Sequence, residues 1–292
     1  MQKIAIVTDS NSGITQAEAK QLGVFAIPMP FLIDGEEYYE DINLTQEQFY
    51  QKLTGGSEVS TSQPSLYEVV ELWKEILKTY DQIVHIPMSS GLSASYDTAL
   101  SASKEFDGKV EVVDNKRISV TLKRAVIDAL TLSKQNKPAK EIREDLEKTG
   151  PQSSIYIMLS TLKYLKKGGR ITPAAAAIGS FLKIKPVLQI QGAKLDKFCQ
   201  VINYNQGKTR MIDQIRKDLT TRFPDLLEKG QFVMDIAHTN CEDKALVFKQ
   251  EVETAFADLN VKVNVVDPLS LSVACHIGDG AIALTVTINE LN

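Results

Sequence analysis

Short apolar runs alternate with stretches of helical periodicity along this chain. Runs at 4–7, 24–28, 82–86, 110–113 and 155–158 read as strands in the first half, and runs at 183–191, 232–237, 261–266 and 281–288 as strands in the second. Apolar strands separated by helical segments are the pattern of an α/β fold whose helices cover a mainly parallel sheet. The best-defined helix lies between 62 and 80, where Leu66, Val69, Val70, Trp73 and Leu77 keep i, i+3, i+4, i+7 spacing. Pro64 stands where a first helical turn tolerates it. Thr45-Gln46-Glu47-Gln48 reads as a capping box, and 206–223 and 241–256 as further helices. The polar stretch at 148–153 breaks the pattern near the middle, which predicts an N-terminal α/β lobe over 1–152 and a C-terminal α/β lobe over 153–292. Neither a low-complexity segment nor a short-period repeat interrupts either half.

Composition narrows the class. With 292 residues, 43% of them hydrophobic and 24% charged, the chain can build a large core or two domains and is too apolar for disorder. The formal charge of −4 argues against nucleic acid as the main partner, which requires a strongly basic surface. Cys199, Cys241 and Cys275 are odd in number and form no C-x-x-C, so neither a disulfide framework nor a thiolate zinc site is expected, and no metal or cofactor is assigned. The N-terminus runs directly into an apolar strand without a signal-peptide pattern, and no apolar run reaches membrane-spanning length. The expectation is a cytoplasmic protein without stable membrane insertion, monomeric when free.

Three loop junctions concentrate small hydroxyl residues and a histidine: Thr61-Ser62-Gln63-Pro64-Ser65, Ser89-Ser90-Gly91-Leu92-Ser93 and His276-Ile277-Gly278-Asp279-Gly280. Two precede helix starts, where free backbone N–H groups favour a carboxylate or phosphate. Thr8-Asp9-Ser10 follows the first strand, where Asp9 reads either as a ligand-facing carboxylate or as an Asx turn ahead of a helix capped by Thr15. Ser93 either caps the next helix or offers its hydroxyl to a ligand. His85, inside an apolar strand, reads as a satisfied core or edge residue, whereas His276 precedes two glycines that allow close approach to a ligand. Lys163-Tyr164-Leu165-Lys166-Lys167-Gly168-Gly169-Arg170 is a basic cluster around a Gly-Gly turn, either a solvated loop or a docking patch. The alanine-rich segment 172–182 either packs closely or leaves a slot for something long and thin. A hydrolase or acyltransferase with Ser93 as nucleophile, His276 as base and Asp9 as orienter has the right residue types but lacks a Gly-x-Ser-x-Gly elbow, and a small-molecule sensor or regulatory module is a third reading.

In combination, Ile6-Val7-Thr8-Asp9-Ser10, Thr61-Ser62-Gln63-Pro64-Ser65, Ser89-Ser90-Gly91-Leu92-Ser93, Gly168-Gly169-Arg170-Ile171, Lys185-Pro186-Val187-Leu188 and His276-Ile277-Gly278-Asp279-Gly280 resemble the DegV family over essentially the whole chain. The resemblance implies two α/β lobes with a fatty acid in a buried tunnel between them. It further implies a non-catalytic binding subunit that presents a long-chain fatty acid to a separate ATP-dependent fatty acid kinase. Carried over position by position, Thr61, Ser62, Ser93 and His276 are similar to the carboxylate-holding group, with Asp9, Ser10, Gly91, Gly278 and Gly280 in support. Arg170 resembles a residue that meets the kinase. Two departures stand out: Asp279 replaces the proline of the family's His-x-Gly-Pro-Gly, and 205–210 replaces a basic Val-Arg-Thr-like element. No Walker motif or kinase Gly-rich loop is evident, consistent with a carrier that lacks its own phosphoryl-transfer machinery.

Overall fold

A computed structural model of the chain describes residues 2–177 and 184–291. The part of the alanine-rich segment beyond residue 177, and the first residue of the strand expected at 183–191, lie outside these. The chain divides into two compact units, Met1–Gln46 with Glu58–Pro151, and Glu47–Ser57 with Gln152–Glu290.

The first unit runs β1 (Ile4–Asp9), α1 (Gln16–Leu22), β2 (Phe25–Ile27), β3 (Phe31–Ile33) and β4 (Glu36–Tyr38). Helix α2 (Gln46–Thr54) leads out of it. The chain re-enters at β5 (Val59–Thr61) and continues through α3 (Leu66–Ile76), β6 (Gln82–Ile86), α4 (Ser95–Ser103), β7 (Val110–Val112), α5 (Ser119–Lys134) and α6 (Ala139–Thr149). The main sheet has the order β2-β1-β6-β7 with every pair parallel. Strand β1 is buried at all six residues, as a central parallel strand covered on both faces must be. On one face Ala5, Val7, Ile83 and Val112 pack with Val69, Trp73 and Ile76 of α3 and Ala99 of α4. The apolar stripe of α3 thus buries Trp73 completely, its ring edge-on to Phe106 at 5.4 Å and to His85 at 5.5 Å between centroids. Helices α5 and α6 pack on β1, β6 and β7 from the opposite face. A small antiparallel sheet, β4-β3-β5, delivers Thr61 at the end of β5. Helix α3 begins at Leu66, so Pro64 precedes it rather than occupying its first turn, correcting that expectation.

The second unit contains β8 (Ser153–Met158), α7 (Lys163–Gly168), α8 (Pro173–Ala176), β9 (Lys185–Ile190) and β10 (Asp196–Val201). It continues through α9 (Tyr204–Thr221), α10 (Pro224–Lys229), β11 (Phe232–His238), α11 (Glu242–Ala255), β12 (Val263–Pro268), α12 (Leu271–Ile277) and β13 (Ile282–Ile288). Its sheet, β10-β9-β8-β13-β11-β12, is antiparallel except at β11 and β12. Met211, Ile215 and Leu219 of α9 and Phe248 and Val252 of α11 pack with the buried Leu284 and Val286 of β13. The parallel pattern expected along the chain therefore holds in the first unit and is mostly replaced by antiparallel pairing in the second.

Candidate functional site

The carboxyl ends of the parallel strands carry several of the polar residues that the sequence singles out. Asp9, the last residue of β1, is 2% exposed. Its Oδ1 accepts from the Asn11 N–H at 3.0 Å and its Oδ2 from the Met88 N–H at 2.9 Å. The carboxylate makes an Asx turn and also ties β1 to the segment after β6. Burial pushes the Asp9 carboxyl up to about 6, against the opposing effect of these two donors. Ser10 is similarly engaged, its Oγ accepting from the Met29 N–H at 3.0 Å.

The serine-rich turn is held by its own backbone. Leu92 and Ser93 N–H donate to the Ser89 carbonyl at 2.9 and 3.2 Å, and the Gly91 N–H donates to Ser89 Oγ at 3.3 Å. Ser93 is half-buried, its Oγ accepting from the Ser95 N–H at 3.1 Å and lying 2.8 Å from Ser95 Oγ. Helix α4 starts at Ser95 with Ala94 in the N-cap position, so Ser93 Oγ satisfies the N–H of the helix's first residue from one position further out. A hydroxyl offers one donor and two acceptor positions, so Ser93 retains capacity for one ligand bond. Thr61 is half-buried opposite Phe31, and Ser62 is exposed with its N–H on the Pro30 carbonyl at 3.4 Å. Thr98 Oγ1 donates to Gln63 Oε1 at 3.4 Å, joining this loop to α4.

A small pocket, partly open to solvent, sits among these loops. Asp9, Gln63, Leu66, Val69, His85 and Thr98 are among the residues that line it, and its exposed lining is almost entirely apolar. His85 is in the core, as its strand position suggests, but it is not satisfied: 4% exposed, it leaves Nδ1 without a hydrogen-bond partner. Burial drives this imidazole down to about 3, so it is neutral at physiological pH.

In the second unit, His276 lies in the last turn of α12 rather than in the loop expected from the sequence. Its ring is packed onto Gly168 at the end of α7, where a Cβ would stand 2.3 Å from His276 Nδ1. Burial, with the Arg170 charge as the lesser cause, holds His276 down at about 4. The neutral ring has one donor and one acceptor nitrogen. Gly278 has φ +80°, and a Cβ there would meet the Tyr164 ring at 2.6 Å. The Gly280 carbonyl accepts from Ser160 Oγ at 3.2 Å and from the Tyr204 hydroxyl. Asp279 turns toward Asn240, whose Nδ2 donates to it at 2.9 Å.

The basic cluster also differs from the loop expected. It forms the six-residue helix α7, closed by Gly169 at φ 68° with its N–H on the Leu165 carbonyl. Arg170 Nη1 donates to the Gly168 carbonyl beside it. Asn203 caps α9 through the Gln206 N–H at 2.9 Å, so 205–210 forms the first turns of that helix.

Asp9, Ser10, Thr61, Ser62, Gly91 and Ser93 belong to the first unit, and Arg170, His276, Gly278 and Gly280 to the second. The hydrolase arrangement finds little support here, since both Asp9 oxygens hold backbone donors and Ser93 Oγ pairs with Ser95. Among the described residues no three His, Cys, Asp or Glu side chains converge as a metal site, and no helix is long and apolar enough to cross a membrane.

The model of a family described as uncharacterised protein, DegV family, matches residues 3–289. A DegV domain-containing protein of Staphylococcus aureus strain N315 is 29% identical over 286 residues, covering 98% of this chain and 99% of its own. A fatty-acid-binding DegV family protein from Thermus thermophilus superposes with a TM-score of 0.86 at 26% identity, over 98% of this chain and 99% of that one. DegV of Bacillus subtilis, a fatty acid binding protein, gives 0.85 at 26% identity over 99% and 100%. With sequence and fold both shared from end to end, this chain belongs to the DegV family.

Proposed function

We propose that this chain binds a long-chain fatty acid in a buried tunnel, holds its carboxylate with Thr61, Ser62, Ser93 and His276, and presents it to a separate ATP-dependent fatty acid kinase. The observation that carries the reading is the end-to-end likeness to DegV proteins that bind fatty acids. Burial of an acyl chain contributes about 0.8 kcal/mol per CH₂, on the order of 10 kcal/mol for an ordinary chain before ordering costs. Polar contacts contribute about 0.5–3 kcal/mol each, so the tail sets affinity and the hydroxyls set direction. His276, kept neutral by burial, donates an N–H to the carboxylate while the Arg170 charge beside it favours the anion. The kinase supplies ATP; a carboxylate oxygen attacks the γ-phosphorus, ADP leaves, and an acyl phosphate forms. The chain itself performs no catalytic step and acts as a cytoplasmic monomer when free.

Two expected outcomes test this. Thr61→Ala or Ser93→Ala weakens fatty-acid binding by about 1–3 kcal/mol in calorimetric titration, as loss of a partner from a partly buried polar group does; isotherms unchanged in both remove the head-group assignment. Arg170→Ala leaves fatty-acid affinity nearly intact and lowers acyl-phosphate formation when kinase and ATP are added, because rim charges act mainly on association. Loss of lipid affinity as severe as in Ser93→Ala, with normal coupling at saturation, would instead place Arg170 in the ligand site.

A further inference from the structure

Arg117, in the connection between β7 and α5, is 1% exposed. Its Nη2 donates to the Thr149 carbonyl at 2.7 Å and its Nε to the Gly150 carbonyl at 3.4 Å, at the C-terminal end of α6. Helix C-termini leave carbonyls unsatisfied and favour a cation, so the contact is a favourable one. It does not require burial. Arg216 makes the same kind of contact from the surface, its Nη2 donating to the Ala255 carbonyl at the end of α11 and its Nη1 to Asp258 Oδ2 at 2.8 Å. Arg117 instead gives up water, has no carboxylate among its hydrogen-bond partners and leaves Nη1 without a partner. Burial pushes the guanidinium down to about 10, so it still carries its charge at neutral pH. A charge buried in this way is costly, and capping α6 does not account for it.

The backbone beside it supplies the reason. The Arg117 carbonyl accepts from the N–H of Ser89, itself 1% exposed, at 2.9 Å, and the Ser89 carbonyl in turn accepts from the Ser93 N–H at 3.2 Å. Two neighbours of Arg117 reach the same serine turn: Asp114 Oδ1 accepts from the Ser90 N–H at 3.3 Å, and Lys116 Nζ donates to Ser90 Oγ. Among the described residues, six of the eight non-glycine residues with positive φ are Asp or Asn, which tolerate it; the other two, Lys116 at 59° and Ser119 at 55°, flank Arg117. Such a backbone persists only where its surroundings over-determine it. The anchor is the end of α6. There the Asp114 N–H donates to Glu147 Oε1 at 3.2 Å, and Gly150 packs so closely that a Cβ would stand 2.4 Å from the Asn115 carbonyl oxygen.

We propose that Arg117 is a positioning residue for the carboxylate site: by clamping the 114–117 connection to the end of α6, it sets the serine turn and, through it, the Ser93 hydroxyl. The inference rests on the fatty-acid reading above, with Ser93 as a carboxylate partner, and adds a residue that acts only through the turn. A placed polar group loses much of its effect when displaced by about 1 Å, whereas burial of an acyl tail does not depend on that placement. Loss of the clamp therefore removes head-group recognition and spares the tail.

The test is titration of the delipidated full-length chain with palmitate and with its uncharged methyl ester. The wild type is expected to prefer palmitate by about tenfold or more, as hydrogen bonds to a charged head group provide. Arg117→Met should cut that preference to about threefold or less while the affinity for the ester stays within about twofold. Arg117→Lys, which keeps the charge but not the forked pair of donors, should lie between the two. Gly150→Ala reaches the same connection without altering Arg117. Its φ of −47° and ψ of −49° suit alanine, so the new Cβ acts on the Asn115 backbone, and the preference should fall here too. If Arg117→Met does not fold, Arg117→Lys and Gly150→Ala decide. A preference unchanged in Arg117→Met or in Gly150→Ala, or palmitate and ester weakened by one common factor as a general loss of stability would do, overturns the inference and leaves fatty-acid binding standing. Equal binding of palmitate and ester by the wild type overturns the carboxylate site, and failure to bind either overturns the fatty-acid reading itself.

Discussion

Gly278→Ala is expected to lower stability by about 3–5 kcal/mol and to disturb the seating of His276. Two costs add at this position. A φ of +80° with ψ near −173° is a backbone region that is essentially glycine's alone, worth about 1–3 kcal/mol. A Cβ would also stand 2.6 Å from the Tyr164 ring, an overpacking contact worth about 1–3 kcal/mol more. Because Gly278 caps α12, on which His276 makes the last turn, relief of the clash moves the ring along with the loop. Gly230 is the control: its φ is +64°, but a Cβ there meets nothing within 4 Å, so alanine carries the backbone cost alone. Chemical denaturation of the two variants should therefore rank Gly278→Ala well below Gly230→Ala. Equal stabilities would mean that the Tyr164 contact is not as drawn.

The second large effect is on acid stability. His85 is held at about 3 in the folded chain against 6.5 when exposed, so the unfolded chain takes up the proton first. Its contribution is fully present above pH 6.5 and is lost as pH falls toward 3, by about 1.4 kcal/mol per pH unit and about 5 kcal/mol in total. Asp9 has the opposite sign: raised from 3.8 to about 6, it favours the fold below pH 3.8 and loses that contribution as pH rises through 6. Between pH 6 and 4 the two partly cancel, and the net loss concentrates below pH 4. His276, also depressed by burial, adds to the acid-side loss. Urea unfolding of wild type and His85→Phe across this range isolates one group, since the Asp9 contribution is common to both. The stability difference should move in the variant's favour by about 1.4 kcal/mol for each pH unit below 6.5. A difference independent of pH would show that His85 is not buried and neutral.

The elements legible in the sequence are those whose burial is one-sided or complete over a strand's length. Strands β1 and β13 are buried throughout and β6 at every residue but Gln82, and α3 presents Val69, Trp73 and Ile76 as a stripe, so each shows in the order of residues alone. Helix α12 does not, because six of its seven residues are buried and no polar face alternates with the apolar one. In α5 the pair Arg124 and Asp128 faces inward, with Arg124 Nε donating to Asp128 at 2.8 Å, so charge marks the interior and the helical stripe is lost. Strands β3, β4 and β5 have three residues each, too few for a period to emerge. At the candidate site, residue type and loop position single out Ser93, Thr61 and His276. The unpaired Nδ1 of His85 and the need for glycine at Gly168 arise from neighbours distant in sequence, which no local pattern encodes.

Native mass spectrometry of the purified chain tests fatty-acid carriage most directly, before and after incubation of delipidated protein with a long-chain fatty acid. The expected result is a mass increment of one fatty acid per chain, retained through buffer exchange and released as intact acid on organic extraction. A chain that carries no such increment and takes up none on incubation, or one that instead converts an added fatty ester to free acid, would contradict it.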